Sequence, residues 1–551
     1  AVLDRGGVLA VKGLGGYHLA ADACSVVAVG ELRRRKHRDD KPFAVMVADV
    51  GTARSLCVLS AEAEAALASP RRPIVLARRR EGAAVAEGVA PGLPELGLML
   101  PYTPLHSLLL DRLTRPLVMT SGNLSDEPIS HDDADALARL GPLVDGLLTH
   151  DRPIHIRCDD SVVRAGWNGA AVQMARRSRG YAPEPLALPV AARRPILAVG
   201  AELKNTVAVA RGGVVVASHH IGDLEHLPAY SSFLQAVDHL CRLAGVTPEV
   251  VAHDLHPEYL STKYAMDLDL PLLGVQHHHA HIASCLVDHG RTGPVLGIAF
   301  DGLGFGCDGR LWGGEFLVAD LYRSARAGHL RSVALAGGAR AITEPWRMAL
   351  SWLATALGDD EAEKYGRRVD QRWAAVLAVA KSPATARTTS AGRLFDAVAA
   401  LIGLRTTISY EGQAAIELEA AAATEPLAIE GYPVSVSRDG ATGLAVLDPA
   451  PMLAAVVADR DRGVPVPEIA ARFHAGLGRA AASLAVELAG EHRLSTAALS
   501  GGVFQNARLT ATVAAAARAA GLEVLAHRRV PPNDGGISIG QAAIAAAASP
   551  G

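Results

Sequence analysis

His277 and His281 stand four residues apart in the run HHHAH. On a helix that spacing stacks the two side chains on one face, the geometry by which a pair of imidazoles chelates a single metal ion. Asp301 lies twenty residues beyond His281 in a strand-like run, VLGIAFDGLGFG, and Asp534 lies in PPNDGGISIG, where a loop turns into a helix. Carboxylates from such positions would complete the shell, and two imidazoles with two carboxylates accept Fe, Zn or Mn. The alternative for Asp534 is a helix N-cap, a position that Asp fills well. His278 and His279 point elsewhere on such a helix, as outer donors or as exposed side chains.

Three glycine-rich loops could hold phosphate beside that metal: GAELKNT (200–206), DGLGFGCDG (301–309) and SGGVFQN (500–506). Glycine lets backbone N–H groups approach an anion closely. Lys204 adds a charge and Thr206 a hydroxyl, while Asn205, Gly302, Gly304, Gly501, Gly502 and Asn506 complete the candidate nucleotide set. None of the loops matches a Walker A pattern. Asp396, on an amphipathic helix pattern in SAGRLFDAVAALIGL (390–404), is either a solvent-facing carboxylate or a ribose or metal contact.

A second constellation lies near the amino terminus. ELRRRKHRDDKPFAVMV clusters Arg33, Arg34, Arg35, Lys36, Arg38 and Lys41 just before a strand pattern. A charge run is usually a solvated helix face, but this one would put Lys36, Arg38 and Lys41 at a sheet end, where ligands bind. VMTSGNLSDEPIS offers Thr120, Ser121 and Asn123, and RCDDSVVRAG and ARRSRGYAP offer Ser161, Arg176, Arg177 and Arg179. A basic pocket ringed by short polar side chains suits a nucleoside triphosphate and an anionic co-substrate.

The elements that must position these residues exceed one core. A chain of 551 residues is expected to form two or three domains. Its composition, 50% hydrophobic and 20% charged, is that of a globular protein rather than a disordered one. The net charge of −3 leaves no global basic field for nucleic acid. Six isolated cysteines without a C-x-x-C pair argue for a reducing compartment. No apolar run is long enough to span a bilayer, so the cytoplasm is expected. The chain opens at Ala1 directly into a strand pattern, and upstream sequence is therefore expected.

Residues 183–195, PEPLALPVAARRP, carry neither helical nor strand period and mark the main boundary, with domains at 1–187 and 195–551. Before it, strand-like runs (GGVLAVKG, KPFAVMVA, RPLVMTSGN) alternate with helical ones (61–68, 134–140), an α/β pattern. After it, PILAVGAELKNTVAVARGGVVVASHHIG and VLGIAFDGLGFGCDGRLWGGEFLVAD each read strand, turn, strand, Gly-Gly turn, strand. Two such starts predict a duplicated α/β fold of the actin/sugar-kinase type, with ATP and Mg in the cleft between its halves.

These motifs also carry a resemblance. KHRDDKP, TSGN and SVV resemble the YrdC family, which joins a small carboxylated amine to AMP. HHHAH, FDGLG, SGGVFQN and NDGG resemble the carbamoyl- and threonylcarbamoyl-transferases of the actin-like ATPase superfamily. The order of the two parts, together with VKGLGGYHLA, LPYTPLH, RRSRGYAP, GAELKNT, HIGDLE, HDLHPEYLST and SYEGQAA, is similar to the HypF family of hydrogenase-maturation carbamoyltransferases.

The resemblance implies that a YrdC-like domain makes carbamoyl-adenylate from ATP and carbamoyl phosphate or carbamate, releasing pyrophosphate. The second domain would then pass the carbamoyl group to the C-terminal cysteine of a HypE-like partner. It implies Lys36, Arg38, Lys41, Ser121, Asn123 and Ser161 as the adenylation pocket, and His277, His281, Asp301 and Asp534 as ligands of one transition metal, Fe or Zn. The YrdC likeness also brings weak RNA binding into view. Members of the family carry an acylphosphatase-like domain and paired C-x-x-C zinc fingers upstream, and neither pattern occurs in these residues, so cleavage of carbamoyl phosphate to carbamate is not accounted for. The rival readings are threonylcarbamoyladenosine synthesis on tRNA, an antibiotic O-carbamoyltransferase, and a non-catalytic module that binds RNA or nucleotide.

Overall fold

Apolar runs bounded by polar turns form strands where the sequence places them, at Leu9–Lys12, Ala44–Met46 and Leu117–Ser121. The helical runs become Ala61–Ala68, capped by Ser60, and Asp133–Leu140, capped by Asp132. These elements belong to a computed structural model that describes residues 1–124, 127–165 and 172–548.

The first domain is built on a mixed ten-stranded sheet. At its centre Ala44–Met46 pairs with Leu117–Ser121, which pairs in turn with Tyr17–Asp22. At one edge Val162–Arg164 and Gln173–Arg176 pair antiparallel. Helix Val26–Lys36 packs its Ala28, Val29 and Leu32 into the core beside the sheet and delivers Lys36 to its last turn.

The second domain contains two sheets of related order. In the four-stranded one, Leu186–Ala198 pairs antiparallel with Ala208–Ala217 and parallel with Val250–Asp254, which pairs with Leu272–Val275. In the nine-stranded one, Val295–Phe305 pairs antiparallel with Leu311–Ala319 and parallel with Thr496–Ser500, which pairs with Glu523–Ala526. Each sheet thus begins with an antiparallel pair and continues in parallel strands, the duplication the sequence predicts. Helix His277–Asp288 crosses helix Ile537–Ala548 between the two sheets. A Cβ on Gly540 would stand 1.9 Å from the Ala280 carbonyl oxygen, so only glycine allows this crossing.

Three expectations fail for physical reasons. The Pro/Ala stretch 183–195 is not free of strand: most of it lies in the long strand Leu186–Ala198. Its ladder shifts register between Ala187 and Ala192 and again between Ala192 and Ile196. Pro189 and Pro195 fall in those irregular stretches, where a missing N–H is tolerated. The two Gly-Gly pairs are not turns either, since Gly212–Gly213 and Gly313–Gly314 lie inside single strands. A Cβ on Gly314 would meet the Thr389 carbonyl oxygen at 2.4 Å, so close backbone approach accounts for that glycine. Finally, Gly302 and Gly304 continue strand Val295–Phe305, and the turn begins only at Gly306.

Candidate functional site

The helix that carries the histidines starts cleanly because Gln276 accepts a hydrogen bond from the His279 amide at 2.8 Å. Its first turn points His277 and His281 at Asp301, with Nε2 to Oδ2 distances of 3.3 and 3.4 Å. Asp534 Oδ1 lies 3.8 and 3.6 Å from the same two nitrogens. All four ligand atoms fall within 4.8 Å of one another. Asn533, not Asp534, caps the short turn that follows, accepting from the Gly535 amide at 3.0 Å. That leaves the Asp534 carboxylate free to face the histidines.

Surrounding groups hold this set in place. Asp301 Oδ1 accepts the Gly502 amide at 2.8 Å. Gly501 has φ +96°, and a Cβ there would lie 2.2 Å from the Phe300 carbonyl, so the loop SGGVFQN needs glycine to lie against the strand. His277 Nδ1 donates to Asp254 Oδ2 at 2.7 Å, and both side chains are wholly buried. Asp254 ends the strand before the HPEYLST segment and is a residue the sequence reading missed. Burial pulls the His277 imidazole down, but Asp254, Asp301 and Asp534 outweigh it and hold the ring well above its ordinary range. His281 is raised by Asp301 and Asp534 against the same burial; its Nε2 faces those two carboxylates, and among the described residues its Nδ1 has no hydrogen-bond partner. His278 and His279 are buried rather than exposed, and His279 Nε2 donates to the Asp320 carbonyl at 2.7 Å.

Several of the candidate nucleotide residues are occupied in binding other parts of the fold. Lys204 pairs with Glu411, and its amide donates to Asp223 at 2.8 Å. Asn205 spends its amide on the Val199 and Ala201 carbonyls, and Thr206 binds the Gly535 carbonyl and the Ser538 hydroxyl. Asn506 caps the following helix and meets His474 Nε2 at 2.9 Å. Gly304 gives the histidines room, since a Cβ would lie 2.5 Å from the His278 ring, and Gly302 faces Arg393. Asp396 is buried, not solvent-facing, at 2.7 Å from Arg393. Burial raises its pKa to about 6, Arg393 opposing and Glu411 reinforcing the shift. Arg393 and Glu411 are further residues that the sequence reading passed over.

In the first domain, Lys36 is buried and its Nζ donates to the Ser121 carbonyl, the Asn123 carbonyl and Asn123 Oδ1 at 2.6–2.7 Å. Ser121 Oγ reaches the same Oδ1 at 2.7 Å. Arg38 bonds the Lys41 and Pro42 carbonyls, and Arg33 shapes the loop by donating to the carbonyls of Arg38, Asp39 and Lys41. Ser161 is wholly buried, donating to the Arg179 carbonyl and accepting the Ser178 amide, so it anchors the RRSRG segment.

The two domains meet close to both constellations. Asp40 accepts from Ser409 Oγ at 3.0 Å and pairs with Arg405 at 3.2 Å. Two residues on from Ser409, Glu411 holds Lys204. His220, another residue missed, is driven well below the usual imidazole range by burial and then by the cations Arg176 and Lys41 of the first domain and Lys204 of the second.

Comparison with known proteins covers the whole chain. Residues 191–288 match the family described as HypF Kae1-like domain, 297–541 the one described as Carbamoyltransferase, Kae1-like Domain, second subdomain, and 1–178 the one described as Telomere recombination. Carbamoyltransferase HypF2 of Cupriavidus necator is 41% identical over 595 residues, covering 100% of this chain and 72% of the relative. Carbamoyltransferase HypF of Synechocystis sp. is 41% identical over 567 residues, covering 98% and 71%. The crystal structure of a full-length HypF in a phosphate- and nucleotide-bound form superposes with a TM-score of 0.94 at 42% identity, covering 99% of this chain and 85% of that one. The crystal structure of the T. kodakarensis HypF gives 0.92 at 35% identity, covering 99% and 72%.

Proposed function

This chain belongs to the HypF family of carbamoyltransferases, and from that premise we propose that it works in [NiFe]-hydrogenase maturation by two steps in two domains. In the first, a carbamate oxygen attacks the α-phosphorus of ATP, carried with Mg, and pyrophosphate leaves. In the second, a cysteine thiolate attacks the carbamoyl carbon and AMP leaves. The acceptor is the C-terminal cysteine of a HypE-like protein, and the donor is carbamate or carbamoyl phosphate. We assign the work to the cytoplasm, and no described helix is long and apolar enough to cross a membrane.

The observation that carries this reading is the pairing of two polar centres across one domain contact. Lys36, Ser121 and Asn123 converge in one domain, and His277, His281, Asp301 and Asp534 in the other. Cationic Lys36, Arg38 and Lys41 would offset the charge that builds on phosphate as carbamate attacks. Lys204 and the Gly501–Gly502 loop would receive the adenylate's phosphate in the second domain. The adenylate is labile in water, so the close approach of the KHRDDK loop to the SYEGQAA segment at Asp40, Ser409 and Arg405 would favour a sheltered transfer.

The second-domain set fits a transition metal, Fe or Zn, because two imidazoles and two carboxylates converge, and among the described residues His281 Nε2 faces only Asp301 and Asp534. Bound there, the metal would supply a Lewis acid for a carbonyl or phosphoryl oxygen. Asp254 would fix the His277 tautomer so that Nε2 faces the site.

The test is to incubate the chain with ATP, Mg, ammonium bicarbonate and threonine and to identify adenylates by mass spectrometry. The reading expects carbamoyl-adenylate. Threonylcarbamoyl-adenylate would point to tRNA modification instead, and the absence of both would remove the first step.

A further inference from the structure

Arg164 and Gln173 belong to neither constellation, yet both reach from the first domain onto loops of the second. Arg164 ends strand Val162–Arg164 and forks onto Glu95, with Nε to Oε1 at 3.1 Å and Nη2 to Oε2 at 2.8 Å. This fixes the plane of the guanidinium and aims Nη1 across the interface. There Nη1 donates to the Gln505 carbonyl at 2.9 Å and meets Glu419 Oε2 at 2.9 Å. Glu419 Oε1 in turn accepts the Ala507 and Arg508 amides at 2.7 and 3.3 Å, the opening amides of helix Ala507–Ala519. On the paired strand, Gln173 Nε2 donates to the Phe504 carbonyl at 3.1 Å, and the Ala175 carbonyl accepts Asn533 Nδ2 at 3.0 Å.

These contacts from one strand pair land on two loops. SGGVFQN holds Asp301 through the Gly502 amide, and PPNDGG carries Asp534 behind its Asn533 cap. We propose that Arg164, seconded by Gln173, is a positioning residue of the first domain for the second domain's metal-binding loops. The inference rests on reading His277, His281, Asp301 and Asp534 as a metal site.

The energetics suit the role. Arg164 and Glu419 keep only 15% and 8% of their side-chain surface exposed, so solvent screens their pair little. Forked, charge-assisted bonds fix geometry as well as add energy. Removing the cation would leave Glu419 buried without its partner, against the start of the helix that follows SGGVFQN. Asp301 sits in strand Val295–Phe305 and takes the Gly502 amide from SGGVFQN, while Asp534 sits in PPNDGG itself, so a shift of the strand pair reaches both carboxylates through these two loops.

The experiment uses the full chain loaded with Co²⁺, reading visible absorption and affinity by chelator competition in wild type, Arg164→Ala, Arg164→Lys and Gln173→Ala. Arg164→Ala should weaken Co²⁺ binding about tenfold, the lower end for an outer partner of a metal site, and alter the absorption. Arg164→Lys should recover part of the loss, and Gln173→Ala should move the same way by a smaller factor. Carbamoyl-adenylate formation should stay within about twofold of wild type in all three, because the altered groups lie outside the Lys36 pocket.

Wild-type affinity and spectrum in Arg164→Ala would overturn the inference alone. So would an equal fall in adenylate formation, which would make Arg164 a general strut. An unfolded Arg164→Ala with an unchanged Gln173→Ala would overturn it as well. A wild-type chain that binds no Co²⁺ through His277 would instead remove the metal reading, and this inference with it.

Discussion

Replacing Asp254 tests whether the outer partner of His277 sets metal affinity. The bond from His277 Nδ1 to Asp254 Oδ2 is 2.7 Å long between two wholly buried side chains. A charge-assisted hydrogen bond of this kind contributes about 1.5–3 kcal/mol. At about 1.4 kcal/mol per decade that is roughly a 10–100-fold loss of metal affinity, the range found for outer partners of metal-bound histidine. Asp254→Ala should show the full loss, because Nδ1–H is left buried without an acceptor and the ring is free to turn. Asp254→Asn keeps an acceptor oxygen but not the charge, and should fall between. Losing a carboxylate also weakens the hold on the proton that competes with the metal, and the Asn variant separates that charge effect from orientation. The assay is competition of Zn²⁺ or Co²⁺ against a chelator of known affinity, with folding checked by circular dichroism. An Asp254→Ala protein that binds metal within about twofold of wild type would refute the reasoning.

Lys36→Met keeps the aliphatic stem but removes the Nζ that donates to Ser121 and Asn123. Adenylate formation should drop by about two orders of magnitude or more while metal affinity holds, and a normal rate would take Lys36 out of the site. Asp396, with a pKa raised to about 6 by burial, binds its proton more tightly folded than unfolded, so its contribution to stability is present at low pH and lost as pH rises through about 6. The stability of wild type relative to Asp396→Asn should therefore be greater at pH 5 than at pH 8 by about 1.4 kcal/mol in chemical denaturation, and a flat difference would contradict the shift. Gly540→Ala brings a Cβ to 1.9 Å from the Ala280 carbonyl, backbone that cannot swing aside. It should cost about 1–3 kcal/mol in unfolding free energy and weaken metal binding by displacing the histidine helix, which an unchanged melting curve would disprove.

Much of the cluster of His277, His281, Asp301 and Asp534 was legible because its strongest signal is local. The spacing of His277 and His281 is helix geometry, Asp301 lies in a strand that an apolar run marks, and Asp534 lies where a loop turns into a helix. Asp254 was not legible, because its partner lies 23 residues away and the pairing exists only once a strand end and a helix start are docked. Arg164 and Glu419 are 255 residues apart and belong to different domains, so no window of sequence relates them. Asp396 shows how an alternation of apolar and polar residues misleads: every residue of helix Ala391–Leu401 is buried, and the carboxylate faces Arg393 rather than water. The Pro/Ala stretch misled in the opposite sense, since register shifts let a strand carry two prolines. Asn205 and Thr206 were found by type but not by role, because loop composition does not say which polar side chains bind the loop itself.

On the proposed function, one chain makes the adenylate in its first domain and consumes it in its second. The most direct measurement supplies ATP, Mg, isotopically labelled bicarbonate, ammonium and a HypE-like protein ending in cysteine, and follows labelled carbamoyl-adenylate and labelled cysteine together by mass spectrometry. Wild type should label the cysteine, Asp301→Asn should accumulate carbamoyl-adenylate without labelling it, and Lys36→Met should yield neither product. Full labelling by Asp301→Asn, or carbamoyl-adenylate made by Lys36→Met, would contradict the account.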